Sequence, residues 1–200
     1  MRKVAIIIIT IGLFLLASYF LYYYYIDKHE KDEIELYIES TSVVDEQPEE
    51  IVVSTEPVDT QEENFWVDYK AVLEIPKINL KKGLVESTNN FRSINYAISI
   101  DKKSNYPNEE GNFILYAHSG NSKIAFFRNL NKLDIGDEVI VYYLGTEYHY
   151  KIFSKYEIEK TGKLEVLKNN NQRLITLLTC ISNTNKQVVL IGKQEKIANY

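Results

Sequence analysis

The chain has 200 residues, 23 basic against 28 acidic side chains, a net charge of −5 and a single cysteine. That length allows one ordinary domain plus an appendage. One cysteine excludes an internal disulfide framework and a zinc site built from several thiolates, and the sequence holds no glycine-rich phosphate loop, internal repeat or nucleic-acid motif.

At the N-terminus, Arg2 and Lys3 precede a charge-free run over residues 4–26. Roughly 23 helical residues at about 1.5 Å each cover about 34 Å, enough to cross a bilayer. Tyr19 and the run Tyr22 to Tyr25 resemble an interfacial aromatic belt. The basic pair favours a cytoplasmic N-terminus, and the tyrosine-rich end lacks a small-x-small cleavage site, so the segment reads as a retained signal anchor.

Residues 27–63 carry 14 acidic residues against Lys28 and Lys31, a charge of 2 − 14 = −12, with Pro48 and Pro57 and few large apolar residues after Val44. Such a composition cannot bury enough apolar surface to fold alone. Its first part, through Ile38, can prolong the membrane helix. Removing this segment and the two leading basic residues leaves −5 + 12 − 2 = +5 on the remainder, a mildly basic domain on an acidic stalk. The expected organisation is therefore residues 1–26 as cytoplasmic stub and transmembrane anchor, 27–64 as an acidic, largely disordered linker, and 65–200 as the folded domain.

That domain reads as short strands separated by turn signals. Residues 71–75 alternate and stop at Pro76; 111–117 form an apolar run; 138–143 and 147–153 flank Gly145-Thr146; 174–179 and 187–191 close the series. Short helices are expected over 89–96 and 123–130. Many short strands in so few residues suggest a closed β-barrel or a sandwich.

The chemistry centres on Cys180, which ends the strand-like run Arg173-Leu174-Ile175-Thr176-Leu177-Leu178-Thr179-Cys180 after the turn-forming Asn169-Asn170-Asn171. An unpaired cysteine in an exported domain points to intermolecular pairing or reactivity, with an inert buried thiol as the alternative. Of three histidines, His29 lies in the linker and His149 sits between Tyr148 and Tyr150 as part of an aromatic strand surface. Only His118 ends an apolar strand. A strand-end thiol and a strand-end imidazole are what a cysteine nucleophile with a histidine acid/base requires. Asp101, Glu109 and Glu110 have the chemistry for calcium, but solvated loop carboxylates are the better reading. No metal and no cofactor is expected.

These residues resemble the sortases, membrane-anchored cysteine transpeptidases of Gram-positive bacteria. Leu73-Glu74-Ile75-Pro76-Lys77-Ile78 matches the family's opening strand, Ala117-His118-Ser119-Gly120 its histidine motif, and Thr176-Leu177-Leu178-Thr179-Cys180 its Thr-Leu-x-Thr-Cys signature. The resemblance implies a mostly β fold: a closed eight-stranded barrel with one or two short helices, preceded by the transmembrane helix. It implies a catalytic domain outside the cell and partners that are secreted proteins bearing a C-terminal Leu-Pro-x-Thr-Gly-like sorting signal. Cys180 would attack the threonine carbonyl, His118 would protonate the leaving amine, and a cell-wall precursor or pilin amine would resolve the thioacyl enzyme. No nucleic acid is involved, and the bilayer is met through the N-terminal helix.

One position departs from the pattern. Sortases place an arginine at the start of the strand after the cysteine, and aligning the apolar run Val188 to Ile191 puts Gln187 there. Its amide can still donate a hydrogen bond, but the charge is lost. Gln187 and Thr179 stand as the residues for oxyanion or substrate contact, with Lys186 sent to the opposite face by strand alternation. Arg92, Arg128 and Arg173 lie outside the motif, and of these Arg173 is the one that could approach the thiol.

Two functions follow: an active transpeptidase, or a catalytically weak relative that binds sorting signals because the arginine is missing. A cell-wall L,D-transpeptidase is more distant, since that class joins its histidine and cysteine in one compact glycine-containing motif. The subclass stays open, class D among the candidates. The linker lacks the Asp-Pro-Trp or Asp-Pro-Phe lid of pilin polymerases, and the short 181–186 connection leaves no room for a helical insertion.

Overall fold

The computed structural model describes residues 2–42, 67–87, 94, 96–161 and 171–199, and two compact units divide the chain, Met1–Glu39 and Ser40–Tyr200. The acidic linker beyond Ser42, Arg92 and all of the expected helix over 89–96 except residues 94 and 96, and most of the asparagine turn before β7 lie outside the described residues.

The first unit is a single helix. α1 runs from Arg2 to Ser42, and its Ala5–Ser42 portion contains a window of mean hydropathy 2.4, apolar enough to cross a membrane. Its 41 residues correspond to about 62 Å at 1.5 Å per residue, roughly twice a bilayer's hydrocarbon core. The charged second half, from Asp27 onward, therefore continues as helix beyond the apolar span. An i,i+4 pair between Asp27 and Lys31, 2.7 Å apart, lies at this change of character.

The second unit contains eight strands: β1 Ala71–Ile75, β2 Leu80–Glu86, β3 Ile98–Ile100, β4 Gly111–Tyr116, β5 Glu138–Tyr143, β6 Thr146–Glu159, β7 Arg173–Cys180 and β8 Lys186–Asn199. They close into a barrel in the order β1-β2-β3-β4-β7-β8-β6-β5. β2 with β3 and β4 with β7 are parallel, and the remaining neighbours are antiparallel. The closed eight-stranded barrel implied by the motifs is the observed fold.

Alternation fills the barrel. Leu73 and Ile75 of β1, Phe113 and Leu115 of β4, Val139 and Val141 of β5, Tyr150 and Ile152 of β6, Ile175 and Leu177 of β7 and Val188 and Leu190 of β8 form one core. Closure abolishes the free strand edges that a sheet of this size would expose. The turns follow local chemistry. Pro76 starts a 3-10 turn, Pro76–Ile78, that ends on Asn79 in the left-handed region. Leu144 and Gly145 both have positive φ between β5 and β6, as a two-residue hairpin of this twist demands.

Two strands escaped the sequence reading. β2 contains Lys81, Lys82 and Gly83, which break the apolar pattern, and Gly83 is required because a Cβ there would stand 2.2 Å from the Tyr69 ring. β3 has only three residues. β6 and β8, expected to be short, each run to 14 residues and pair with one another along their length. The expected helix over 123–130 is corrected to a series of turns followed by a 3-10 turn at Leu130–Lys132. Phe127, Leu130 and Leu133 are needed in the core, and their spacing of three matches a 3-10 rather than an α-helical repeat.

Gly192 of β8 sits against side chains of both neighbouring strands, β6 and β7. A Cβ there would meet Ile175 Cγ2 at 2.9 Å and Tyr150 Cβ at 3.3 Å. Gly192→Ala should therefore destabilise the detergent-solubilised chain by about 1 to 3 kcal/mol through overpacking, read as a lower urea midpoint with an unchanged slope.

Candidate active site

β7 ends on Cys180 and β8 begins at Lys186, so only residues 181–185 separate them. That connection is tied at several points. Ile181 N–H donates to Lys186 O at 2.9 Å and Thr184 N–H to Ile181 O at 3.2 Å; the Thr184 hydroxyl donates to Ile181 O at 2.9 Å and accepts from Lys186 N–H at 3.2 Å. Asn183 takes a left-handed conformation, φ 61°, which asparagine tolerates better than most residues. The turn fixes Cys180 directly opposite Gln187 in the β7–β8 ladder.

Alternation then decides which face each side chain takes. Ile175 and Leu177 point into the core, so Leu178 and Cys180 point outward, placing the thiol on the outer face. On β8 the core takes Val188 and Leu190, leaving Gln187, Val189 and Ile191 outside. The half-exposed Cys180 and Gln187 thus share the outer surface, with Gln187 Nε2 at 3.9 Å from Cys180 Sγ. That is the outer limit for a donor to sulfur, a weak contact that still aims the amide at the thiol. Lys186 is turned to Glu157, 3.0 Å away.

The histidine comes from the other neighbour of β7. β4 runs parallel to β7 with Asn112 opposite Leu174 and Tyr116 opposite Leu178. Continuing that register past the strand end brings Ala117 level with Thr179 and His118 level with Cys180. The Thr179 hydroxyl donates to Ala117 O at 2.8 Å across this extension. His118 follows two places beyond Tyr116, the last residue of β4. The structure therefore puts Cys180 and Gln187 on one face of β7 and β8, with His118, two residues past the end of the parallel neighbour β4, at the same end of the barrel. Thr179 is different: its side chain is buried and its hydroxyl proton is committed to Ala117 O, which leaves it none to offer an oxyanion.

Arg173 is corrected as a source of positive charge. It opens β7 and Cys180 closes it, and seven residues at about 3.3 Å each separate them by roughly 23 Å. An odd separation also sends the two side chains to opposite faces. Arg173 Nη2 lies 3.5 Å from Asn108 O at the far end of the barrel. Arg128 donates from Nη2 to Ser122 O at 2.6 Å within the loop after His118. His149, set aside as a strand-surface residue, lies between Glu138 and Glu147, each 2.9 Å from a ring nitrogen. Among the described residues no cluster of three His, Cys, Asp or Glu side chains could hold a metal.

The sequence reading missed the surroundings of the thiol. Leu178 packs with Leu174, Val189 and Ile191 on the outer face, joined by Ile158 of β6. Across β4, Tyr116 donates its hydroxyl to Ser87 Oγ at 2.5 Å, and burial pushes its pKa above the ordinary tyrosine value. The i−2 and i+2 neighbours of Cys180 and Gln187 were the available signal, but only the pairing of β4 with β7 adds Tyr116 to them.

A family model described as "Sortase domain" matches residues 73–195. Sortase A of Bacillus anthracis is 28% identical over 142 residues, 66% of this chain and 66% of that protein. Sortase D of Bacillus subtilis (strain 168) is 27% identical over 128 residues, 62% of each chain; both alignments thus span just under two thirds of the relatives' length. Among solved structures, a Clostridium perfringens Sortase D5 transpeptidase aligns with TM-score 0.57 and 24% identity over 64% of this chain and 80% of that one. Sortase C-3 of Streptococcus pneumoniae aligns with TM-score 0.60 and 14% identity over 86% and 84%. These structural likenesses support the barrel fold.

The position of Arg173 yields a direct expectation. Arg173→Ala should leave the rate of Cys180 alkylation by iodoacetamide within about twofold of the parent, because a charge roughly 23 Å away is screened beyond the Debye length. A change of tenfold or more would show that the guanidinium reaches the thiol after all.

Proposed function

The chain belongs to the sortase family, and from this premise we propose that it is a membrane-anchored cysteine transpeptidase acting on a Leu-Pro-x-Thr-Gly-like sorting signal. The observation that carries the reading is that Cys180 and Gln187, in register on one face, lie at the end of the barrel where the parallel neighbour β4 also ends, two residues before His118.

In this reading the Cys180 thiolate attacks the threonine carbonyl and forms the sulfur–carbon bond. The threonine–glycine bond breaks, and His118 gives its proton to the leaving amine. An acceptor amine, from a cell-wall precursor or a pilin, then attacks the thioester. Its proton passes back to His118 and the thiolate leaves, so no proton or electron is gained or lost over the cycle. Gln187 supplies a neutral amide donor beside the sulfur, where developing negative charge on the carbonyl oxygen needs one. Leu178, partly exposed two residues before the thiol and packed on the buried Val189, offers the substrate chain an apolar contact there.

The N-terminus is placed in the cytoplasm and the barrel outside, supported by Arg2 and Lys3 before the apolar part of α1 and by its length. Protease added to intact, wall-stripped cells should release the barrel domain, whereas a protected domain reverses the topology.

Mass spectrometry after incubation with a Leu-Pro-x-Thr-Gly peptide tests the chemistry. The parent should gain a thioacyl adduct; Cys180→Ala should gain none, and His118→Ala should remain folded with adduct formation suppressed by at least a hundredfold. Transfer by the cysteine variant would remove this mechanism.

Gln187 decides between an efficient enzyme and a module that mainly binds sorting signals. A neutral donor in place of a guanidinium costs about 1 to 2 kcal/mol of transition-state stabilisation, less than loss of a whole donor. Gln187→Arg should therefore raise kcat/KM roughly tenfold, at about 1.4 kcal/mol per decade, and Gln187→Ala should lower it. Peptide binding without turnover in every variant would favour the binding module.

A further inference from the structure

His118 is held at both carbonyls that flank its side chain. On one side, the buried Thr179 hydroxyl donates to Ala117 O at 2.8 Å. On the other, Phe127 N–H donates to His118 O at 3.0 Å. Both bonds lie beyond Tyr116–Leu178, the last ladder pair of β4 and β7, and fasten the chain to the barrel where the strand pairing has ended.

Each bond is anchored in something rigid. Thr179 is the residue before Cys180, so one residue carries the thiol on its backbone and the histidine's strand on its hydroxyl. Phe127 is fully buried in the core, which fixes its amide by packing. The intervening loop is tightened by Ala125 N–H to Ser122 O at 3.1 Å, and Arg128 Nη2 donates to that same Ser122 O at 2.6 Å. A valine at 179 would match threonine in shape and strand preference but could not donate.

We propose that these bonds form a backbone clamp that sets His118 against Cys180, with Thr179 and Arg128 as positioning residues. The proposal rests on His118 and Cys180 being the reacting pair. A displacement of about 1 Å at such a pair is enough to cost on the order of a hundredfold in rate, and loss of either carbonyl anchor frees the peptide beside the imidazole to rotate.

The test reads the coupling of the two groups without any substrate. The rate of Cys180 alkylation by iodoacetamide is measured against pH in the parent and in His118→Ala, whose profile defines the uncoupled thiol. Thr179→Val should move the profile toward that of His118→Ala, Thr179→Ser should restore it, and Arg128→Met, at an exposed position, should move it in the same direction by less. With a sorting peptide, Thr179→Val should lower kcat by tenfold to a hundredfold at a KM within about twofold.

If Thr179→Val and Arg128→Met both keep the parent profile while His118→Ala does not, the clamp is refuted and the catalytic pair stands. Coincident parent and His118→Ala profiles overturn the pair and the clamp with it. Should Thr179→Val lose its cooperative melting transition, Arg128→Met decides alone: a parent-like profile refutes the clamp and a shifted one supports it.

Discussion

The parallel pairing of β4 with β7 is the constraint on which the rest of the molecule depends. Parallel neighbours cannot be joined by a tight turn, so a long stretch of chain must leave the end of β4 and return to the start of β7. Here that stretch contains β5 and β6, and it lets residues 62 apart in sequence, Ala117 and Thr179, share a hydrogen bond. Because the strands run the same way, both end at the same edge of the barrel. Their terminal residues are therefore neighbours without any dedicated scaffold for them.

The antiparallel partner on the other side works differently. β8 follows β7 through a connection tied by Thr184 and Asn183, so Gln187 is brought to Cys180 by local geometry rather than by the long return of the chain. One end of the barrel thus receives contributions of two kinds. A short turn fixes the amide, and the closure of the whole barrel fixes the histidine. Strain or loosening elsewhere in the barrel should be felt at His118 before it is felt at Gln187.

Alternation also separates stability from chemistry. The inward residues of β4, β7 and β8 belong to the main core, whereas Leu174, Leu178, Val189 and Ile191 form a second apolar group on the outer face. Thr179 belongs to the inner set and Cys180 to the outer, although they are adjacent. This explains why the hydroxyl serves the architecture while the thiol stays half-exposed to solvent.

The sequence by itself determined the elements whose signal is local: the apolar span at the N-terminus, the strands that alternate cleanly, the hairpin turn at Gly145, and the strand-end positions of His118 and Cys180. β2 and β3 are not legible there, because Lys81 and Lys82 interrupt the apolar pattern and Gly83 answers to a neighbour, Tyr69, rather than to a periodicity of its own, and three residues are too few to show a period. The sequence reads as a helix over 123–130 where the core instead takes Phe127, Leu130 and Leu133 at a spacing of three. Arg173 looked close to the thiol because both lie on one strand, yet strand rise and alternation put them at opposite ends and on opposite faces. Which strands are neighbours is set by closure of the barrel, and with it the position of Tyr116 and Ala117 beside the end of β7 and the bond of the Thr179 hydroxyl to Ala117 O. The physical reason is that a strand's sequence encodes its two faces, while its partners are chosen by closure of the barrel as a whole.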